Sequence, residues 1–88
     1  MRRFVMDIEQ LLDILMDLRD FEPADSWGLT GAELDQILAP HLPKEYTATT
    51  VRATRQHLVD FLKGMRAITA GRRGRTVFYI LKDNEVTP

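Results

Sequence analysis

Two stretches of this chain carry side chains whose chemistry suits an anionic polymer. The first offers Thr47, Thr49, Thr50, Arg52, Ala53, Gln56 and His57 in close succession. Arginine's planar fork of N–H donors matches a guanine edge or a phosphate. Glutamine's amide matches adenine, and alanine and threonine methyls fit the thymine methyl. Thr47, Thr49 and the free backbone N–H groups of a helix start can hold a phosphate. The second stretch places Arg72, Arg73 and Arg75 beside Gly71 and Gly74. Like charges on a tight turn repel one another, so such a tip is relieved by a phosphate or by a narrow, strongly negative minor groove.

The charge distribution supports taking the two stretches together. Residues 1–45 hold ten acids and four bases, a net of −6, whereas residues 46–88 hold eight bases and three acids, a net of +5. The total of −1 therefore conceals a dipolar chain whose basic half contains both stretches. Each stretch alone also fits a solvated surface, because charge runs commonly face water. Their shared location favours contact with nucleic acid.

The elements that position these residues follow from caps and periodicity. Asp7 and Gln10 have capping-box spacing, opening a helix over residues 8–20. Ile8, Leu11, Leu12, Leu15 and Leu18 form its apolar side, Asp13, Asp17 and Asp20 the other. Ile14 and Met16 flank the stripe and widen it. The helix is then either the central core element or one whose surplus edge forms a seam with a second copy, joined by Phe4 and Val5. Pro23 ends it. Residues 26–29 read as a short extended piece. Thr30 and Glu33 form a second capping box, for a helix through Leu34, Ile37 and Leu38 that stops before Pro40.

Thr47 caps a third helix that runs to Lys63, with Tyr46 and Val51 spaced as a hydrophobic staple and Gly64 available as a left-handed C-terminal cap. At about 100° per residue, Val51, Leu58, Leu62 and Met65 share one arc. Thr49, Ala53, Gln56, His57 and Asp60 share the opposite arc, with Arg52 and Lys63 on its shoulder. Arg55 falls on the core side and must leave at the edge or pair with an acid from the first half. His57 and Asp60 are spaced to interact. Residues 65–70 and 75–81 are rich in β-formers and flank the turn 71–74, which predicts a hairpin. Trp27, Phe78 and Tyr79 are expected in the core rather than as base-stacking groups.

This order predicts an α+β, mostly α domain over residues 1–88, with three helices and a C-terminal two-stranded β wing, a body at 7–82 and a frayed tail at 83–88. It resembles the winged helix-turn-helix superfamily across residues 7–82. The resemblance rests on Leu29-Thr30-Gly31-Ala32-Glu33-Leu34, on Thr50-Val51-Arg52 with Leu58, Leu62 and Gly64, and on the stretch from Arg73 to Tyr79. That last stretch is similar to the second wing strand of ArsR-type and related bacterial repressors. The resemblance implies a recognition helix in the major groove of double-stranded DNA and a wing on the minor groove or phosphates.

Other chemistry is scarce. Cysteine is absent, so thiolate metal sites and disulfides are excluded, and the metal sensing of ArsR-type proteins finds no ligand cluster. With two histidines and one serine, no nucleophile–base constellation is visible, and no cofactor or catalysis is expected. Asp7 and Glu9 interrupt the opening apolar run, so neither a signal peptide nor a membrane span is read, and a cytoplasmic protein is expected. The expectation is a transcriptional regulator, such as a repressor, acting as a homodimer, because two copies double the phosphate contacts. The alternative from another class is a protein-interaction module on the same fold, a small inhibitor or assembly adaptor that docks through its acidic first helix.

Overall fold

The computed structural model describes residues 7–82. The order is α1 (Ile8–Asp20), β1 (Leu29–Thr30), α2 (Gly31–Leu38), a 3-10 turn (Ala39–His41), α3 (Ala48–Gly64), β2 (Ile68–Arg73) and β3 (Thr76–Leu81). The architecture is α+β and mostly helical. The sheet is antiparallel with strand order β1-β3-β2, so it has three strands, one more than the expected hairpin. The extended piece expected at residues 26–29 is instead Leu29–Thr30, which pairs with β3, Leu29 opposite Tyr79 and Thr30 opposite Phe78, while Asp25 and Gly28 bridge across a turn at residues 26–27.

Local chemistry accounts for where the helices begin. Asp7 accepts from the Gln10 backbone N–H at 2.9 Å, and Thr47 from that of Thr50 at 3.3 Å. Thr30 and Glu33 close both halves of their box, at 3.2 and 3.0 Å. Each cap contributes about 1 kcal/mol. The Gln10 side chain does not complete the first box. Its amide donates to the His41 carbonyl at 3.2 Å, and the His41 ring contacts Asp17 at 2.7 Å, so α1 is tied twice to the 3-10 turn.

The end of α3 departs from expectation. Gly64 is its last helical residue, and Arg66 takes the left-handed conformation, with φ of 63°. Arg66 and Ala67 donate back to the Lys63 and Leu62 carbonyls at 3.0 and 2.8 Å. This is the paired-bond helix stop usually served by glycine, here closed by an arginine.

One core joins Ile14 and Leu18 of α1 to Leu34, Ile37 and Leu38 of α2, Leu58, Val59 and Leu62 of α3, and Leu29, Ile68 and Tyr79 of the sheet. The orientation of α1 corrects the sequence reading. Ile14 is fully buried (0%), whereas Ile8, Leu12 and Met16 are 71%, 55% and 60% exposed. The helix is rolled by roughly 60° from the expected face, using the 3.6-residue turn. Ile14 is thus a core residue and is removed from any seam, while Met16 remains available. Nor is α1 central, for it packs chiefly on α2 along one side. Phe4, Val5 and residues 83–88 lie outside the described residues.

Candidate nucleic-acid interface

In α3 the buried side is Leu58, Val59 and Leu62, with Val51 half-buried; Met65, expected with them, is 55% exposed. The opposite side exposes Thr49, Arg52, Ala53, Gln56, His57 and Asp60. No acid stands in the first turn, unlike Glu9 in α1 and Glu33 in α2. The partial positive charge of this helix start therefore meets no acid within its own first turn, which favours an anion there. Thr47 and Thr50 are less available than expected. Their hydroxyls lie 3.1 Å apart, Thr47 is engaged as the cap, and Thr50 is half-buried.

Spacing offered Asp60 to His57 and Arg55 to an acid of the first half; the first pairing is replaced and the second is found. Asp60 accepts from the Gln56 amide at 3.3 Å, in place of the contact with His57 that spacing had offered. Such an exposed pair four residues apart contributes about 0.2–0.5 kcal/mol, so the Gln56 amide can leave it for a better partner. Arg55 turns inward and meets Asp35 of α2 with Nε 3.1 Å from Oδ1, the two side chains 13% and 26% exposed. The contact is ionic rather than a well-aligned hydrogen bond. The guanidinium lies over Gly31, where a Cβ would stand 2.1 Å from Nη1. Gly31 and Asp35, four apart on α2, thus form the receptor for an arginine that holds α3 against α2. Arg55's position on the core side of the wheel was the sequence signal for this pair.

The hairpin also shifts. Arg73 pairs with Thr76, which puts Gly74 and Arg75 at the turn rather than residues 71–74. Gly74 has φ of 62° and Arg75 is not among the positive-φ residues, matching the glycine-first turn common in two-residue hairpins. Arg72 and Arg73 therefore belong to β2. As successive strand residues they leave opposite faces of the sheet. All three arginines are exposed, with Arg75 alone of them in the turn.

Trp27 is the functional candidate that the sequence reading missed. It is not in the core but 53% exposed, and the Arg73 guanidinium lies 4.2 Å from its ring centroid. Tyr79 does join the core, while Phe78 is buried outside the main cluster. Among the described residues, no group of three or more His, Cys, Asp or Glu could hold a metal ion, and no helix is long and apolar enough to cross a membrane.

Comparison with known proteins yields no match, whether against family models, characterised proteins or solved structures.

Proposed function

We propose that this chain is a winged helix-turn-helix protein that binds double-stranded DNA and regulates transcription, with α3 in the major groove and the β2–β3 hairpin as a wing on the minor groove or backbone. The observation that carries this reading is the exposed face of the first turns of α3. Thr49, Arg52, Ala53, Gln56 and His57 stand together there without an acid until Asp60. Small and hydrogen-bonding groups at the leading end of a helix suit base edges. Supporting it, α2 and α3 are packed together through the Arg55–Asp35 contact, and α3 also packs on β2.

The working unit in this reading is a homodimer. A near-neutral monomer neutralises few phosphates, whereas two copies read two half-sites. Ile8, Leu12 and Met16, four residues apart along α1, supply the exposed apolar line for the seam. The same line favours a second reading. It is bordered by exposed Glu9, Asp13 and Asp20, so a basic, apolar protein segment would also fit it. That is the interaction-module alternative.

Selection from a randomised pool of duplexes tests the proposal. A recovered consensus with two related half-sites supports it. Recovery of no sequence above background, together with retention by a basic peptide column through α1, would favour the second reading.

A further inference from the structure

We propose that Trp27 is a positioning residue for Arg73, an aromatic platform that aims this guanidinium at DNA; the inference rests on the DNA-binding reading above. Trp27 comes from the acidic half of the chain, before β1, yet it carries a side chain from the far strand of the sheet. Its own backbone is fixed. The Trp27 N–H donates to Asp25 Oδ1 at 2.9 Å, and the Gly28 N–H to the Asp25 carbonyl at 3.2 Å. Gly28 has φ of 135°, and a Cβ there would lie 2.7 Å from the Tyr79 carbonyl oxygen, so the loop is pressed directly on β3. The Trp27 backbone is thereby held against the sheet, while its side chain remains half-exposed and meets Arg73.

Stacking uses the flat face of a guanidinium and leaves its N–H donors at the edge. Arg73 can therefore rest on Trp27 and still donate to a phosphate. A free arginine samples many rotamers, and ordering it on contact costs conformational entropy. The platform removes part of that cost before DNA arrives. Among the described residues, Arg72 and Arg75 show no such ring contact. From the usual strength of exposed cation–π pairs, losing the platform should weaken DNA binding about two- to five-fold per hairpin.

The test is a double-mutant cycle in DNA affinity, using Trp27→Ala, Arg73→Ala and the pair, with Trp27→Phe as the conservative variant. The expected result is a two- to five-fold loss for Trp27→Ala when Arg73 is present, no further loss when Arg73 is already Ala, and substantial recovery in Trp27→Phe. Equal losses from Trp27→Ala with and without Arg73, or no loss at all, overturn the proposal while leaving DNA binding intact. If the wild-type protein binds no duplex, the underlying reading fails first and the proposal with it. Should Trp27→Ala fail to fold, the single tryptophan of the wild-type chain decides. Its emission should change on saturation with DNA, and an unchanged spectrum overturns the proposal.

Discussion

Removing Asp35 should expose how strongly α3 is held to α2. At 3.1 Å and an effective dielectric near 20, opposite unit charges attract by roughly 5 kcal/mol before desolvation is subtracted. Both groups are partly desolvated, and the bond is not well aligned, so the net value is far smaller. The informative quantity is what a single truncation leaves behind. Asp35→Ala leaves the charge of an arginine whose side chain is only 13% exposed in the intact protein and whose guanidinium is pressed over Gly31. The expected loss is about 2–3 kcal/mol, below the 3–5 typical of fully buried pairs. Arg55→Ala leaves a carboxylate that is 26% exposed and better reached by water, so about 1–2 kcal/mol is expected. Replacing both with apolar side chains, as in Asp35→Leu with Arg55→Met, should come within about 1 kcal/mol of wild type. Urea unfolding reads these values as shifts in midpoint at constant slope. An Asp35→Ala protein within about 0.5 kcal/mol of wild type, or single losses that simply add in the double variant, would show that the pair does not hold α3 to α2.

Other changes probe separate links. Arg66→Gly should raise stability by about 0.5–1 kcal/mol, because relief of the left-handed strain outweighs glycine's entropy; a lower melting temperature would mean that the Arg66 side chain matters more than its backbone. Met16→Glu should give a folded monomer by sedimentation and circular dichroism, whereas Ile14→Ala should cost about 2–5 kcal/mol of folding stability; a wild-type protein that stays monomeric at high concentration removes the seam. Gln56→Ala and Arg52→Ala should each relax preference at individual base pairs by about 1–3 kcal/mol, and an unaltered selected consensus would take α3 out of base reading.

The parts of the fold that depend on neighbours in sequence were legible in advance. Asp7, Thr30 and Thr47 mark their helix starts because a short polar side chain can satisfy a free N–H three residues on. The exposed face of α3 followed from its period. Features set by distant partners were not legible. Ile14 and Met16 sit on opposite edges of one apolar stripe, and only packing on α2 decides which is buried. Gly71 and Gly74 both suit a turn, and the register of β2 against β3 selects Gly74. The helix stop at Arg66 was hidden because Gly64 offered the cheaper conformation two residues earlier. Trp27 was assigned to the core by its size, yet the loop on β3 holds it outside.

DNA binding by the wild-type protein is tested by its affinity for an end-labelled random duplex, measured by anisotropy as salt is raised. Binding is expected at low salt, with log K falling linearly in log salt by about 0.9 for each phosphate neutralised. Arg72→Ala with Arg73→Ala should lower that slope by up to roughly 1.8 per hairpin. Absence of binding at low salt would contradict DNA binding itself, and an unchanged slope in the double variant would contradict the wing.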